Sequence, residues 1–479
     1  MSKKYEVNLV VIGGGSAGLV SSYIAAAVKA KVVLIERHKM GGDCLNTGCV
    51  PSKAILRSAK IASYMNRAEE FGFKAVKPVP VFKNIMQRVH NIIKTIEPHD
   101  SMERYTGLGV ECIAGEATIL SPHEVQVGDR VITTKNIIIA SGARPFIPPI
   151  EGLDKINYLT SDNIWDLTEQ PKRLIVLGGG PIGCELSQAF GKLGSDVTQV
   201  EMMPTIMGRE DDDAKEIVAA SLKDSNINVL TEHRALRVET ENSHKILVCD
   251  NNGEEVRIEF DDILVAVGRA ANTDGLGLDK LGIKLRKNGT IETDDYLRTS
   301  VDNIFACGDV TGPYQFTHTA AHQAWYAVVN SLFGFIKKFK VDYRVIPWAT
   351  FTMPEVARVG LNETDAKAQN IPYDVTKYGI DGLDRAIADG EANGFVKVLT
   401  QPGKDKILGV TIVGHHAGDL ISEYVLAMKH NIGMNKILGT IHLYPSLAEA
   451  NKYVAGQWKQ ANKPEGLLKF AEKLHNWRR

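Results

Sequence analysis

VVIGGGSAG, residues 10–18, decides the fold of this 479-residue chain. Its β-branched residues predict a buried strand that ends at Ile12, and the alanine-rich residues 19–28 predict a helix. Glycines in the pattern G-x-G-x-x-G let the backbone approach a pyrophosphate and let the helix pack closely on the strand. The free N–H groups of the helix N-terminus then bind the phosphates. The residues of this turn that we expect to contact a dinucleotide are Gly13, Gly15, Ser16, Ala17 and Gly18.

An acidic residue completes the pattern. A second strand is predicted at residues 31–35 and ends in Glu36, which lies 23 residues after Gly13. The dinucleotide fingerprint places an acid about 20 residues after its first glycine, where the carboxylate binds a ribose hydroxyl. Glu36 is therefore a candidate ribose ligand of the first nucleotide.

The whole arrangement recurs further along the chain. A predicted strand at residues 173–177 leads into GGGPIG at residues 178–183, and a helix is predicted to about Leu193. A further strand at residues 196–200 ends in Glu201, again 23 residues after the first glycine of its turn. A carboxylate there accepts a hydrogen bond from the ribose 2′-hydroxyl of NADH and repels the 2′-phosphate of NADPH, which predicts NADH preference. The residues expected to bind this second nucleotide are Gly178, Gly180, Ile182, Gly183 and Glu201.

Two cysteines follow the first nucleotide unit, in CLNTGCVPSK at residues 44–53. Cys44 and Cys49 lie five positions apart before a helix-compatible run, and a thiol at a helix N-terminus is readily ionised and nucleophilic. Lys53 lies one helical turn after Cys49. The alternative, two buried thiols and a solvated lysine, is disfavoured by the nucleotide unit upstream. Paired cysteines beside two dinucleotides, most simply a flavin and a nicotinamide, predict thiol–disulfide chemistry driven by hydride transfer.

Composition excludes several other classes of protein. Apolar residues make up 44% and charged residues 24%, which is ordinary for a globular chain of about three domains. A net charge of -1 gives no general attraction to nucleic acid. Six cysteines are too few for a secreted disulfide scaffold, which favours a reducing cytoplasmic location. No apolar run reaches the roughly 18 residues of an integral membrane segment, and we predict no bound metal ion.

GGDCLNTGCVPSK, residues 41–53, resembles the redox signature of the class I pyridine nucleotide-disulfide oxidoreductases. This flavoprotein family includes dihydrolipoamide dehydrogenase, glutathione reductase and mercuric reductase. SGARP at residues 141–145, VGR at 267–269, IFACGD at 304–309 and FTMPE at 351–355 resemble its further motifs. The additional residues that the resemblance implies for cofactor binding are Gly42, Lys53, Ser141, Gly142, Arg144, Gly268, Arg269, Gly308 and Asp309.

The resemblance also implies an architecture. The fold class is α/β, with two Rossmann-like domains, one for FAD and one for NAD(H), and a C-terminal α+β dimerisation domain that makes the protein a homodimer. The implied domain ranges are 1–150 and 272–345 for FAD, 151–271 for NAD, and 346–479 for the interface with a C-terminal amphipathic helix.

The mechanism implied by the resemblance is a relay between NAD(H), flavin and the Cys44–Cys49 disulfide. Cys49 is implied to be the flavin-proximal sulfur, and Cys44 the outward sulfur that exchanges with a small-molecule or carrier-bound disulfide or dithiol. Glu185 matches the family glutamate that pairs with the lysine after the second cysteine, here Lys53. The implied activity is similar to that of dihydrolipoamide dehydrogenase.

The chain departs from the family at the acid–base residue. Lipoyl and glutathione enzymes use a histidine of the partner subunit in H-P-T-x-x-E, where this chain has YPSLAE at residues 444–449. Tyr444 replaces the histidine, while Glu449 matches the glutamate. A phenol titrates near 10 and an imidazole near 6.5, so tyrosine is a poor proton acceptor at neutral pH. His442 is either a substitute base or, as we favour, a supporting residue.

This departure keeps a second function open. Tyrosine at this position resembles mercuric reductase, so a metal-ion or quinone reductase that uses the same relay is the alternative. A non-catalytic nucleotide-binding role is disfavoured by the intact cysteine, lysine and glutamate set. Residues 463–479 form an amphipathic pattern; we expect this helix to pack on its own domain rather than on a membrane or partner.

Overall fold

The computed structural model describes residues 5–242 and 244–479. Within them the chain forms two compact units. The first unit contains the described residues between 5 and 67, 75 and 204, and 226 and 342; the second contains 68–74, 205–225 and 343–479. Parallel sheets with crossover helices confirm the predicted α/β class. The three-domain division stays a prediction.

Helices occur in both units. In chain order they are α1 (Ser16–Ala27), α2 (Gly42–Asn46), α3 (Cys49–Asn66), α4 (Phe82–Ile96), α5 (Met102–Gly107), α6 (Pro181–Lys192), α7 (Asp212–Asp224), α8 (Thr317–Phe333), α9 (Glu363–Ala368), α10 (Asp384–Ala388), α11 (Ala417–Lys429), α12 (Met434–Leu438), α13 (Glu449–Ala461) and α14 (Glu465–Arg478).

The chain also forms twenty-one strands within the described residues. In chain order they are β1 (Val7–Ile12), β2 (Val32–Glu36), β3 (Val110–Ala114), β4 (Ala117–Ser121), β5 (Glu124–Val127), β6 (Arg130–Ile139), β7 (Ala143–Pro145), β8 (Arg173–Leu177), β9 (Asp196–Val200), β10 (Asn228–Leu230), β11 (Arg234–Glu241), β12 (His244–Asn251), β13 (Glu254–Phe260), β14 (Asp262–Val265), β15 (Arg269–Ala271), β16 (Ile304–Ala306), β17 (Pro347–Thr350), β18 (Glu355–Gly360), β19 (Asp374–Gly379), β20 (Phe395–Thr400) and β21 (Ile407–Gly414).

The first sheet is built around β1, whose residues are buried except at one position. Its order is β3-β2-β1-β6-β5-β4, and β16 pairs with the second half of β6. Strands β1, β2, β6 and β16 run parallel, so their carboxyl ends meet at one edge. Ligands of open α/β sheets bind at this edge. The fold therefore gathers the first glycine turn and the residues after β6 and β16 in one place.

The second nucleotide unit repeats this design with the parallel order β10-β9-β8-β14. Buried Ile175, Val200 and Ile263 belong to its core, and Leu247 and Phe260 contribute from the antiparallel sheet β11-β12-β13. The carboxyl ends of β8, β9 and β14 place the second glycine turn, the acid at 201 and the turn at 268 along one edge. This edge is the expected second nucleotide site.

The second compact unit, which is distinct from the second nucleotide unit, contains an antiparallel sheet of order β17-β18-β21-β20-β19. Its core is apolar and includes Tyr424, Val398, Val454 and Trp458, from the sheet and from α11 and α13. No residue of α14 is buried. Our expectation that the amphipathic C-terminal helix packs on its own domain is therefore wrong. Among the residues that the structure describes, no helix is long and apolar enough to cross a membrane.

A buried ion network within the second unit holds α7. The Lys397 side chain, on β20, is only 2% exposed, and its Nζ lies 2.8 Å from Asp211, 2.8 Å from Asp213 and 3.1 Å from Glu363. Asp211 also accepts hydrogen bonds from the backbone N–H groups of Glu363 and Thr364, at the start of α9. One buried ammonium and three carboxylates thus connect α7, α9 and β20.

A second cation supports the same segment. The buried Arg358 on β18 lies 3.2 Å from Glu210 and 2.6 Å from Asp365, and its guanidinium stacks on the Trp348 ring at 4.2 Å. Trp348 Nε1 also donates to Glu210 at 2.9 Å. Burial raises the pKa of Glu210, while Arg358 opposes that shift. Glu210 and Asp211 are therefore structural partners of buried cations.

Replacing Lys397 with Met should destabilise the second unit by about 3–5 kcal/mol, because it leaves Asp211 buried without its cation. The melting temperature should fall by roughly 10 °C. Lys367→Met is the matched control, since this exposed lysine lies 3.9 Å from the same Glu363 and contributes at most about 0.5 kcal/mol. Equal melting temperatures for the two variants in scanning calorimetry would contradict the network.

The same variant has a predicted pH signature. Although burial opposes it, the hydrogen bonds from Lys397 lower the pKa of both Asp211 and Asp213. A lowered carboxyl pKa stabilises the folded state above the unfolded pKa of about 4, and that contribution is lost as the pH falls through the folded value. The difference in melting temperature between wild type and Lys397→Met should therefore be largest near neutral pH and narrow in acid.

Candidate active site

Four glycines of the two turns are required by the chain itself. Gly13 has a φ of 108° and Gly178 a φ of 117°, a region that strains other residues. At Gly18 and Gly183 an added Cβ would overlap the carbonyl oxygens of Gly13 and Gly178. Tight turns and close contact of helix with strand explain these positions, as the sequence predicted.

The middle glycine of each motif has no such explanation within the protein. Gly15 has a φ of -82° and Gly180 a φ of -76°, which any residue adopts. A Cβ added at Gly15 would have its nearest neighbour at 3.7 Å, and one at Gly180 would meet no atom within 4 Å. Close approach of a pyrophosphate to the N-termini of α1 and α6 accounts for both. Among the other residues predicted to bind the nucleotides, Ser16 and Ala17 are the first two residues of α1, and Ile182 is the second residue of α6.

The two acids hold the two turns by the same hydrogen bonds. Glu36 accepts from the N–H of Gly14 at 2.5 Å, and Glu201 accepts from the N–H of Gly179 at 2.6 Å. The second oxygen of each accepts from the amide two residues further on, at 2.7 Å in both cases. The repeat seen in the sequence is thus a repeat of hydrogen bonds, and each acid lies beside the turn whose nucleotide it was predicted to bind.

A partly buried carboxyl, Asp309, lies beside the first turn. Burial raises the pKa of Asp309 to about 6, with Arg269 opposing and the charges of Asp43 and Cys49 adding to the rise. Arg269 donates to Asp43 and, at 2.8 Å, to the carbonyl of Ala143. Its buried Nε lies 3.9 Å from Asp309 and has no hydrogen-bond partner among the described residues. A polar group of FAD fits the unsatisfied Arg269 Nε.

The remaining predicted cofactor residues lie around a two-stranded ribbon, β7 with β15. The Ser141 hydroxyl donates to the carbonyl of Asn272 at 2.7 Å, and the Asn272 amide donates to the carbonyl of Ser141 at 3.0 Å. Arg144 donates to Asp274 at 2.8 Å, so its hydrogen bonds are made within the protein. Two glycines with positive φ border the ribbon, Gly142 and Gly268, and a third precedes Asp309, Gly308.

The cysteine pair lies between two helix N-termini. Cys44 is in α2, and Cys49 is the first residue of α3, as predicted. The Cys49 sulfur lies 3.4 Å from the hydroxyl of Thr317, the first residue of α8, and forms a hydrogen bond with Cys44. Both cysteines are free thiols in this structure, and Cys49 is the more exposed. Gly42 begins α2, and a Cβ there would meet the backbone of Gly15 at 2.7 Å.

The hydrogen bond between the sulfurs makes the two thiols unequal. It is the main cause that lowers the pKa of Cys49 to about 6; burial opposes it, while Thr317 and the charge of Lys53 contribute to it. The same bond, together with burial, raises the pKa of Cys44. At neutral pH the reduced pair therefore carries a thiolate at Cys49 and a thiol at Cys44. Thr317 contacts the Cys49 sulfur, and the charge of Cys49 contributes to the raised pKa of Asp309, so this sulfur lies on the side of the IFACGD motif, residues 304–309.

Lys53 and Glu185 are paired as the sequence resemblance implied. Lys53 Nζ donates to Glu185 Oε2 at 2.8 Å. The Glu185 side chain is 7% exposed, whereas that of Lys53 is 38% exposed. The buried carboxylate fixes the ammonium one turn after Cys49. A positive charge held there stabilises the thiolate.

Tyr444 is an exposed residue of the second unit. Its hydroxyl donates to Asp384 at 3.1 Å, and this bond is the first cause that raises the pKa of the phenol above its ordinary value. Glu449 is buried and accepts weakly, at 3.4 Å each, from the Ser446 N–H and the Tyr453 hydroxyl. The phenol is thus bound to a carboxylate that the sequence analysis missed, and it is a weak proton acceptor.

His442 is held by two acceptors. Its Nε2 lies 3.0 Å from Glu423 and its Nδ1 lies 3.1 Å from the carbonyl of Thr440. Both partners are acceptors, and both ring nitrogens lie within hydrogen-bond distance of one of them. The ring is only 6% exposed. This geometry favours the supporting role over that of a working base.

Comparison with known proteins finds one family along most of the chain. Residues 7–324 match the pyridine nucleotide-disulphide oxidoreductase profile, and residues 346–455 match the dimerisation domain of that name. The chain is 35% identical over 446 residues to a dihydrolipoyl dehydrogenase of Chlamydia trachomatis, covering 92% of this chain and 94% of that protein. It is 32% identical over 450 residues to a mercuric reductase of Staphylococcus aureus, covering 94% and 82%.

Solved structures agree with these relatives. The HOCl-induced flavoprotein disulfide reductase RclA from Escherichia coli superposes with a TM-score of 0.84 at 25% identity, covering 94% of this chain and 99% of that one. Its Cu(II) complex superposes with the same TM-score.

Thr317→Val should raise the pKa of Cys49, because it removes a hydrogen-bond donor from the thiolate. Alkylation of Cys49 in the reduced protein, followed by mass spectrometry over a pH series, should have its midpoint near 6 in the wild type and a higher one in the variant. Thr319→Val is the control on the same helix, since that hydroxyl has no hydrogen-bond partner among the described residues. An unchanged midpoint in Thr317→Val would contradict the assigned contact.

Proposed function

Because the chain belongs to the pyridine nucleotide-disulphide oxidoreductase family, we propose that it moves electron pairs between NAD(H) and an external acceptor through Cys44 and Cys49. The cofactors of the family are FAD and NAD(H), and both glycine turns fit a dinucleotide. Bound FAD supplies the two-electron transfer that connects nicotinamide oxidation with reduction of the disulfide. The observation that carries the proposal is the geometry around the cysteine pair: Cys49 begins α3, its sulfur lies 3.4 Å from the Thr317 hydroxyl, and Lys53, one turn further on, is held by Glu185.

The chain's own sulfur chemistry follows from the difference between the two thiols. Two electrons and one proton convert the disulfide into a thiolate at Cys49 and a thiol at Cys44. After losing its proton, Cys44 attacks a substrate disulfide, and the departing substrate sulfur takes up a proton. The Cys49 thiolate then attacks Cys44 in the mixed disulfide, which restores the Cys44–Cys49 bond and releases the second substrate sulfur. In the opposite direction a dithiol is oxidised.

Removal of the proton from the Cys44 thiol is the difficult step of the exchange. Its thiol pKa is raised, so exchange needs a base, and we propose that Tyr444 of the partner subunit faces it, as the family resemblance implies. The dimerisation domain supports a homodimer. A phenol bound to a carboxylate accepts a proton poorly, and the ring of His442 is buried between Glu423 and the carbonyl of Thr440. Dithiol exchange should therefore be slow unless the substrate itself takes the proton.

This weakness is the reason for a second candidate function. A metal ion or a quinone takes electrons without needing a base to prepare Cys44 for disulfide exchange. Relatives named mercuric reductase, and a similar flavoprotein reductase solved as a Cu(II) complex, belong to the same fold. We rank a disulfide or dithiol substrate first, since the thiol pair is complete, and a metal ion or quinone second. The isolated thiols Cys112, Cys184, Cys249 and Cys307 support a reducing, cytoplasmic location.

A steady-state panel comparing wild type with Tyr444→His separates these functions. The acceptors and donors are dihydrolipoamide, oxidised glutathione, Hg²⁺ and a soluble quinone, with NADH or NAD⁺ as required. Supplying an imidazole base should raise kcat/KM for dithiol or disulfide substrates by about 10²-fold, within the range of general base catalysis. Turnover with Hg²⁺ or quinone should change little.

Tyr444→Phe is the matched control, because it removes the hydroxyl without adding a base and should not raise dithiol activity. Rapid turnover of dihydrolipoamide by the wild type, with no gain in Tyr444→His, would refute the argument about the base. Cys44→Ser should abolish all disulfide turnover, and retention of it would refute the relay.

The nicotinamide preference is a separate prediction. Glu201 lies beside the second turn, and the exposed Met202 and Met203 that follow it offer no cation for a 2′-phosphate. We expect kcat/KM for NADH to exceed that for NADPH by at least about tenfold, with most of the preference lost in Glu201→Gln. Glu216→Gln, an exposed position on α7, serves as the control. A tenfold preference for NADPH would contradict the assignment.

A further inference from the structure

The C-terminal helix α14 presents an uncovered apolar face. Its apolar residues are spaced by three or four along Glu465–Arg478, and none is buried. Trp477 is 82% exposed, and Phe470 and Leu467 are each 63% exposed. A helix of this length is marginal in water unless its apolar face is covered. The helix also begins beyond residue 455, where the match to the dimerisation domain ends.

The segment that contains α14 is basic overall, although its polar face holds both lysines and glutamates. Residues 463–479 hold five lysines or arginines and two glutamates in a chain whose net charge is -1. On a helical wheel Lys469 and Lys473 lie on the polar side of α14, and Lys473 is next to the margin of the apolar face that holds Phe470 and Trp477. Aromatic and leucine side chains on one face and lysines on the other are the composition of a helix that lies in a membrane interface.

The described helix α14 is too short to span a bilayer. Fourteen residues at about 1.5 Å per residue cover roughly 21 Å, less than the 30 Å hydrocarbon core. We propose that α14 docks the enzyme on an anionic lipid bilayer, lying parallel to the surface with Phe470, Leu474 and Trp477 among the acyl chains. Charge complementarity favours this occupant over a second copy of the chain, since two such basic helices would repel one another.

The test is co-sedimentation of the full-length holoenzyme with vesicles. One set is pure phosphatidylcholine and the other contains about one-third phosphatidylglycerol, at low and high salt. We expect binding to anionic vesicles only, lost at high salt. Each basic residue near an anionic surface is worth roughly fivefold in partitioning, so Lys469→Gln with Lys473→Gln should weaken binding by about 25-fold.

Two further variants sharpen the result. Phe470→Ser with Trp477→Ser should abolish binding, whereas Glu472→Gln, which removes a negative charge from the polar face, should strengthen it by up to roughly fivefold. NADH oxidation in solution is the control for folding and should be unchanged in all of them, so failure of docking is distinct from failure of the proposed function.

Absence of vesicle binding by the active wild type would overturn the proposal. Binding that is equal on neutral and anionic vesicles would overturn its electrostatic basis. A shift from a larger assembly to a dimer in Phe470→Ser/Trp477→Ser, seen by light scattering without vesicle binding, would instead assign the face to a second copy and also overturn it.

Discussion

The Lys53–Glu185 ion pair is the interaction on which the rest of the site depends. Its two residues come from different nucleotide units, because α3 follows the first glycine turn and α6 follows the second. Glu185 is buried and needs a cation, while Lys53 needs an anchor to stay beside Cys49. One 2.8 Å contact therefore joins the helix of the redox cysteines to the helix of the nicotinamide turn. A buried carboxylate without its partner would be strongly destabilising.

The active site is complete on its reducing side and altered on its substrate side. Every group that stabilises a thiolate at Cys49 is present, from the Cys44 thiol to Thr317 and Lys53. The groups expected to accept the proton of Cys44 are a phenol bound to Asp384 and a histidine held between Glu423 and the carbonyl of Thr440. On the proposed relay, the chain keeps the groups that stabilise a thiolate at Cys49, while the tyrosine that replaces the family histidine is a poor base for exchange with an ordinary disulfide.

Local pattern predicted the nucleotide units and the place of the cysteines. Strand, glycine turn, helix and acid are all encoded within about thirty residues. The helix-compatible run after Cys49 could also be recognised in the sequence, and Cys49 is the first residue of α3. Contacts between distant segments were beyond such reasoning. Thr317 reaches Cys49 across 268 positions of sequence, and Lys397 collects carboxylates from two other elements. The exposed face of α14 could be recognised as amphipathic, but only the fold shows that its own unit does not cover it.

The two nucleotide units share their hydrogen bonds but differ in burial, and this difference fits their two cofactors. Glu36 is 9% exposed, and beside its turn lie the partly buried Asp309 and the unsatisfied Nε of Arg269. Glu201 is followed by Met202 and Met203, which are 63% and 54% exposed. A buried polar cradle is costly to leave unfilled, which favours a cofactor that stays bound. An open acid rimmed by exposed side chains allows a ligand to leave after each turnover. The same motif can therefore hold a resident flavin at one edge and exchange a nicotinamide at the other, because the surroundings of the acid, rather than the glycines, decide how much the bound ligand is enclosed.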